Sequence, residues 1–518
     1  MAMTSNCLLH TATSIRVLRQ IRQHQSHSIL ALRLPPGKRC EHSGFVHRLF
    51  VAAAAMVFAI VMSPFDLIAA EKPDRPNILL MLADDQGWSG LSVPMHPNVS
   101  GSKGDMFHTP NLEKLAAQGM RFSAGYAPAS VCSPTRASLL TGKSPTQLHW
   151  TKAAPAGDGH KLTEPRLNKS ISSSETTIAE LLHQAGYATA HYGKWHLSGG
   201  GPGQHGYGEH DGDTGNEHAS QFKDPNPVDI FGMADRAAVF MEKSSKAKQP
   251  FFIQLSWHAL HASGNANRAT RAKYEQQMQG QNTKQINIAA ITEDLDTGVG
   301  RVMAALERLG LAGCTYVIYM SDNGASGGRK VLNGSKGGLW EGGLRVPFIV
   351  CGPGVTANSW CHTRVVGYDL FPTFCQWAGI SANTLPKGIE GGSIASLLAN
   401  DGRGEVKRPR EELVFHFPHY QGDTPHSAIF LGDLKLIHFY EDHRSLLFDL
   451  SKDIGERHDL AERMPAETKK LRERLENYLA AVDAQFPTVN PDYDPNRPTT
   501  PERRQRDQEK KAQKKPKK

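Results

Sequence analysis

The segment Val131-Cys132-Ser133-Pro134-Thr135-Arg136-Ala137-Ser138-Leu139-Leu140-Thr141-Gly142 sets a reactive side chain at the start of an apolar helical run. Pro134 suits the first turn of a helix, where its missing N–H is not needed. Cys132 therefore stands at a helix N-terminus, a place whose unpaired backbone donors attract anions. A cysteine there can be a low-pKa thiolate nucleophile, half of a disulfide or a small buried residue, and taken alone the residue type favours burial.

Acidic and amide residues follow two apolar runs. Asp84 and Asp85 come after Ile78–Ala83, and Asp322 and Asn323 come after Tyr316–Met320. Either pair alone reads more readily as a turn or loop cap. Together they offer three carboxylates and an amide at strand ends, all oxygen donors, and predict one shared site for a hard divalent cation. Ca2+ is favoured over Mg2+ because nothing here demands a tight octahedron.

Cations and imidazoles complete the set. Lys194 and His196 lie two residues apart after a strand, so in extended chain they face one side and can meet one ligand. Trp257-His258-Ala259-Leu260-His261 ends another strand with two histidines, of which one can be a general acid for a leaving alcohol while the other packs. Lys336 sits in the glycine-rich Gly334-Ser335-Lys336-Gly337-Gly338, where backbone and cation can approach an anion closely. Trp88, His149, Trp150, His205 and Tyr207 fall near the expected rim, where they can stack on a sugar or pair with an acidic glycan, or equally pack under loops.

These residues need a scaffold that brings strand ends together. Ile78–Ala83 is a continuous apolar run, the mark of a strand buried on both faces. A helix opens at Thr109-Pro110 and stops at Gly119; Met120–Ala124 returns as a strand. The rhythm recurs with the capping box Thr177-Ile178-Ala179-Glu180, a strand at Tyr187–Tyr192, a strand at Phe251–Ser256, a long helix around Ile288–Leu309, and strands at Tyr316–Met320 and Val346–Val350. Strands alternating with helices predict an α/β fold: a large mixed, mostly parallel sheet sandwiched by helices. In such sheets ligands gather beyond the carboxyl ends of the strands, where the candidate residues lie.

After about residue 400 the pattern changes. Gly402–Arg410 reads as a polar linker. Ala428–Leu431, Gly432-Asp433 and Leu434–Phe439 form a predicted hairpin, with Ser445–Asp449 as a third strand. Leu471, Leu475 and Leu479 mark an amphipathic covering helix. The expected domains are an N-terminal extension and signal peptide (1–70), a catalytic domain (71–405), a C-terminal α+β subdomain (406–495) with a small antiparallel sheet, and a disordered basic tail (496–518).

The 518 residues carry a net charge of +8, and the ends supply it. Residues 1–70 contribute +5 and residues 496–518 contribute +7, leaving −4 for the stretch between, which argues against a nucleic-acid-binding core. Arg48, the apolar Leu49–Met62 and the small pair Ala69-Ala70 follow the order of a secretory signal. That apolar run is shorter than the roughly 20 residues of a membrane span, so export without a stable membrane span is expected. In an oxidising compartment Cys351 and Cys361 can close a short surface loop.

Taken in order, Arg75-Pro76-Asn77 through Asp85, C-S-P-T-R-A-S-L-L-T-G, Gly193-Lys194-Trp195-His196, Ser321-Asp322-Asn323-Gly324 and the G-S-K-G-G-L-W-E-G-G-L-R-V-P block resemble the blocks of formylglycine-dependent, arylsulfatase-like sulfatases of the alkaline phosphatase superfamily. Leu447–Asp453 resembles the family's C-terminal L-[YF]-D-L-x-x-D segment. The resemblance implies that a maturation enzyme oxidises Cys132 to formylglycine, whose hydrate is the nucleophile. It implies one Ca2+ held by Asp84, Asp85, Asp322 and Asn323 together with the modified Cys132. It implies that Arg136 holds the formylglycine hydrate, that Lys194 and His196 lie beside it, and that Lys336 binds the sulfate and leaving oxygen.

The implied activity is hydrolysis of a sulfate ester, with a sulfated glycan as the preferred substrate class. Asp322 would receive the nucleophile's proton, His261 or Lys336 would protonate the leaving alcohol, and His196 would deprotonate the remaining hydroxyl to regenerate the aldehyde. Leu260 stands where the family usually has proline, so His261 is favoured as the second catalytic histidine and His258 stays open. A formylglycine-dependent phosphodiesterase or phosphonate monoester hydrolase is the nearest alternative, and a non-catalytic glycan-binding homologue with an unconverted Cys132 is another.

Overall fold

A computed structural model of the chain describes residues 75–154, 157–261, 263–327, 331–496 and 499. The export signal and most of the basic tail expected from the sequence lie outside the described residues.

The main sheet has eight strands: β1 (Asn77–Ala83), β2 (Met120–Phe122), β3 (Ala188–Gly193), β4 (Glu209–His210), β5 (Phe251–Ser256), β6 (Thr315–Ser321), β7 (Phe348–Cys351) and β8 (Ser359–Cys361). Their spatial order is β8-β2-β7-β6-β1-β5-β3-β4. β7 runs antiparallel to both its neighbours, β2 and β6, and every other pairing is parallel. The mixed, mostly parallel sheet expected from the sequence is present.

Side chains alternate across β1 and feed two cores. Leu79 and Met81 pack with Leu112 and Leu115 of α1 (Pro110–Gln118). The same core receives two further helices that appear later in the chain, the 17-residue helix Ile230–Lys246 and the 26-residue helix Thr283–Arg308. Ile78, Leu80 and Leu82 face the other way, onto Leu139 and Leu140 of α2 (Cys132–Thr141) and Ile178 and Leu182 of α3 (Ile178–Gln184). The period-2 alternation of an extended chain thus gives one uninterrupted apolar run two buried faces. The capping box at α3 is closed: Glu180 N donates to Thr177 Oγ1 at 3.2 Å and Thr177 N to Glu180 Oε2 at 2.8 Å.

The register levels the working end of the sheet. Leu82 and Gly193 both pair with Ser256, and Ala83 pairs with Ser321. Beyond that line Asp84 N donates to Ala259 O at 2.7 Å, Lys194 N to Ser256 O at 2.8 Å and Asp322 N to Ala83 O at 3.0 Å. Gly193 is required here, since its φ is +92° and a Cβ would lie 2.2 Å from Ser256 O.

The second sheet is antiparallel, in the order β9 (Leu413–Phe417), β10 (His426–Leu431), β11 (Leu434–Phe439), β12 (Ser445–Asp449). One face packs Val414, Ile429, Leu436 and Leu447 against Leu471, Leu475 and Leu479 of the helix Pro465–Ala481. The other packs Phe415, Phe430 and Ile437 against Tyr126, Leu339 and Leu344 of the larger part of the molecule. Arg408, in the expected polar linker, donates to both carboxylate oxygens of Asp369 at 2.8 and 2.5 Å.

One expectation is corrected and one open choice is decided. Cys351 and Cys361 are both free, because β2 runs between their strands and holds them two strand spacings apart, roughly 9–10 Å, beyond disulfide reach. Trp88, His205 and Tyr207 are core residues, each at most 2% exposed. Trp195, His191, His205 and Tyr207 pack ring against ring, so their aromatic surface serves the fold. Among the described residues no helix is long and apolar enough to cross a membrane.

Candidate active site

Cys132 is the first residue of α2 and is 2% exposed. Arg136 lies one turn further on, and the i, i+4 spacing puts both on the face that meets the strand ends. Its guanidinium donates to Asp322 Oδ2 from Nη2 at 2.7 Å and from Nε at 3.2 Å, and to Lys194 O from Nη1 at 2.7 Å. Arg136 is thus a strut between α2, β3 and β6.

From β1, Asp84 accepts a hydrogen bond from Lys194 Nζ at 2.5 Å. Asp85 has φ +61°, and its Oδ1 accepts from Lys336 Nζ at 2.5 Å and from Asn323 Nδ2 at 2.7 Å. Ser326 Oγ donates to its other oxygen at 2.9 Å. Lys336 Nζ also stands 3.5 Å from Cys132 Sγ. All six metal-site and anion-site positions expected from the first, third and sixth strands and the glycine-rich loop therefore meet in one place.

Burial and charge set the protonation states. Burial raises the Cys132 thiol above its usual range, which outweighs Lys194, so the encoded side chain is a neutral thiol and not an activated thiolate. For Asp84, burial opposes the charge but Lys194, Arg136 and Lys336 overcome it and hold the carboxyl well below the usual range. Asp322 is pushed up to about 6 by burial and by the Asp84 charge. His196 is brought down to about 3 by burial and by Lys194 and Arg136, so it is a neutral base at pH 7; its Nδ1 lies 3.2 Å from Ser133 Oγ.

The donor set fits a divalent metal ion. Asp84, Cys132 and Asp322 present ligand atoms within 4.8 Å of one another. Asp84 Oδ1 and Asn323 Oδ1 are buried without a hydrogen-bond partner, a costly state that a cation would relieve. Asn323 is oriented by its own amide: Nδ2 donates to Asp85 Oδ1 and Gly324 O, which leaves Oδ1 as the free ligand.

Two cavities adjoin these residues. One, about 470 Å3, borders Asp85, His261 and Ser326 and extends to Met106, Lys284 and Gln285. The other, about 400 Å3, borders Ser133 and His196 and extends to Trp150, Lys152 and Asp213. His261 is exposed at the first, with its pKa lowered by burial of its surroundings. His258 is 3% exposed, has an unpartnered Nδ1 and is brought down to about 3 chiefly by burial. His149, expected at the rim, bonds instead to Asp483 O at 2.8 Å, while Trp150 lines the second cavity. Ser133 and Ser326 are contributors that sequence reasoning missed; serines in first helical turns and in loops are too common to carry a signal.

A mostly parallel α/β sheet with three cation–carboxylate pairs beyond its strand ends, joined to a small antiparallel sheet, has the alkaline phosphatase-like fold. The sulfatase family profile matches residues 76–380, and a profile for the C-terminal part of N-sulphoglucosamine sulphohydrolase matches residues 335–485. The chain is 31% identical to a sulfatase of Formosa agariphila over 517 residues, covering 82% of this chain and 92% of that protein. It is 31% identical to N-acetylgalactosamine-6-sulfatase of Mus musculus (79% and 86% covered) and 28% identical to arylsulfatase A of Homo sapiens (81% and 89% covered). Among solved structures, i-CgsB in complex with k-i-k-neocarrahexaose superposes with a TM-score of 0.65 at 23% identity, covering 79% of this chain and 94% of that one. A protein in complex with its substrate D-glucosamine-2-N,6-O-disulfate superposes with a TM-score of 0.59 at 20% identity (82% and 100% covered). The chain belongs to the sulfatase family, the sulfuric ester hydrolases of the alkaline phosphatase superfamily.

Proposed function

We propose that the protein is an exported sulfatase that removes sulfate from a sulfated carbohydrate, with residue 132 acting as formylglycine and Ca2+ as the metal. The observation that carries this reading is the meeting of Cys132 Sγ with the Asp84 and Asp322 carboxylates within 4.8 Å, under Lys336 Nζ at 3.5 Å. A glycan substrate is supported by relatives and structural neighbours whose own names specify sulfated sugars. The chemistry is assigned to residues 71–405, and residues 406–495 form the C-terminal subdomain.

Asp84, Asp85, Asp322 and Asn323, with the oxygen that replaces the Cys132 sulfur, would hold the metal. Bound there, the ion would polarise the sulfate and lower the pKa of the formylglycine hydrate. The chain's own charges already suit the anion. Arg136, Lys194 and Lys336 face three carboxylates, so a divalent ion tips the balance to positive and favours an incoming sulfate monoester.

Asp322, whose carboxylate lies within 4.8 Å of Cys132 Sγ, is assigned to accept the nucleophile's proton. Lys336 stands over the position of the reacting atom and meets the leaving oxygen. His261, open to the larger cavity, donates a proton to the departing alcohol. His196, neutral and beside Ser133, removes the proton that releases sulfate and restores the aldehyde.

The deciding experiment joins two measurements on the exported protein: the mass of the tryptic peptide 122–136, and sulfate release across a panel of sulfated glycans and matched phosphate esters. Conversion lowers the peptide mass, and sulfate esters should be the preferred substrates. An unconverted Cys132 in an active preparation, or faster turnover of the phosphate esters, would overturn the reading.

A further inference from the structure

Lys336 belongs to a segment with little rigidity of its own. Five glycines, at 334, 337, 338, 342 and 343, stand within ten residues, and each adds backbone freedom that ordering must remove. Its Nζ nevertheless has to serve Asp85 and the position of the reacting atom at once. The restraint comes from outside the segment, and the C-terminal sheet and the loops beside it supply a share of it.

Three consecutive residues that follow Lys336 and its two glycines are tied to that sheet. Leu339 N donates to His426 Nε2 on β10 at 2.9 Å. Trp340 Nε1 donates to Asp423 Oδ2 at 3.1 Å, and its ring packs against Phe439 and Phe448. Glu341 N donates to Glu456 Oε2 at 2.8 Å, and Lys435 Nζ of β11 bridges Glu341 Oε1 and Glu456 Oε1 at 3.0 and 2.7 Å. On the other side Lys336 N donates to Ala325 O at 3.0 Å and Gly337 N to Ser130 O at 2.9 Å, while Tyr126 Oη and Arg345 Nε donate to Glu341 Oε2 at 2.8 and 2.6 Å.

His426 is built as an acceptor. Its Nδ1 lies 2.6 Å from Thr424 O, a carbonyl that can only accept, so Nδ1 carries the hydrogen and Nε2 offers its lone pair to Leu339. The ring is buried and stacks on Phe439 with centroids 5.3 Å apart, which fixes its plane.

We propose that His426 and Asp423, supported by the buried Lys435–Glu341–Glu456 network, are positioning residues that set Lys336 at the leaving oxygen of the substrate. The C-terminal sheet then completes the active site without touching substrate. This rests on the reading of Lys336 as the cation at the leaving oxygen, and the test separates the two.

A cation at the leaving oxygen matters most when the alcohol leaves poorly, so kcat/KM is measured on aryl sulfates of graded phenol acidity and on a sugar sulfate. His426→Leu and, at a half-buried position, Asp423→Ala should lose at least about tenfold more activity on the sugar sulfate than on the most activated aryl sulfate. His426→Gln, which keeps an acceptor near the place of Nε2, should recover most of that loss. Lys336→Ala gives the reference gradient, and thermal melting reports the fold of each variant. If Lys336→Ala is graded along the series while Asp423→Ala and a folded His426→Leu lose activity evenly, or not at all, the positioning proposal is overturned. If Lys336→Ala is itself ungraded, the reading of Lys336 is wrong and the proposal falls with it. Should His426→Leu fail to fold, Asp423→Ala decides.

Discussion

Lys194 Nζ donates to Asp84 Oδ2 at 2.5 Å, and neither side chain is exposed to solvent. A charge pair so placed has lost its hydration, and removal of one member strands the other in a low-dielectric interior. Lys194→Met should therefore destabilise the metal-free protein by about 3–5 kcal/mol and suppress turnover. Denaturant titration checks the first and sulfate release the second. A stable, active Lys194→Met would show that the pair is dispensable.

Metal should act on stability as well as rate. The orphaned Asp84 Oδ1 and Asn323 Oδ1 make the ion-free site costly, and an ion that binds only the folded state stabilises it by about 2.7 kcal/mol at a hundredfold excess over its Kd. Chelation should lower the melting temperature and Ca2+ should restore it, while Asp322→Asn should blunt the response. A melting temperature indifferent to both Ca2+ and Mg2+ would remove the metal site from the scheme.

The two histidines after β5 should separate by assay. His261 is exposed at the larger cavity, whereas His258 is buried beneath the strand ends. His261→Ala is expected to cost about 10²–10⁴ in rate on a sugar sulfate with little change in melting. His258→Ala should act mainly on stability. The reverse pattern would exchange their roles.

Acid should unfold the protein through its buried imidazoles. Burial brings His191 and His416 down to about 3 and His426 to about 4. Each stays neutral in the fold but takes up a proton in the unfolded chain below its ordinary 6.5, so stability is present above that value and is lost as pH falls toward 4. Glu456, pushed up to about 7 by burial, works in the opposite direction and cancels one of the three between pH 4.5 and 6.5. These four groups together contribute a slope of about 3 kcal/mol per pH unit. Denaturant midpoints from pH 7 to 5 measure it; a flat profile would mean that these rings are hydrated.

Asp84, Asp85, Asp322 and Asn323 were legible in the chain because each follows an apolar run long enough to be a central strand, and such strands end at the ligand-binding edge. Cys132 was legible at a helix start because proline marks it, and Arg136 only through the resemblance of the C-S-P-T-R segment to the family's. The small sheet was legible through its hairpin and covering helix. Other roles depended on which strands became neighbours. Cys351 and Cys361 are close in sequence, yet β2, contributed from 230 residues earlier, runs between their strands and keeps them apart. Trp88, His205 and Tyr207 have the composition of a sugar-binding rim, but packing against other aromatic and apolar side chains made them core.

The amino-acid sequence by itself determined the local elements and the reactive inventory, because periodicity, caps and strand-end polarity are properties of neighbouring residues. Tertiary structure decided which cation meets which carboxylate, that the encoded Cys132 is a neutral buried thiol, and that Leu339 and Glu341, just after Lys336, are tied to β10 and β11. Those facts arise from register and burial, which set distances and dielectric between residues up to 251 positions apart.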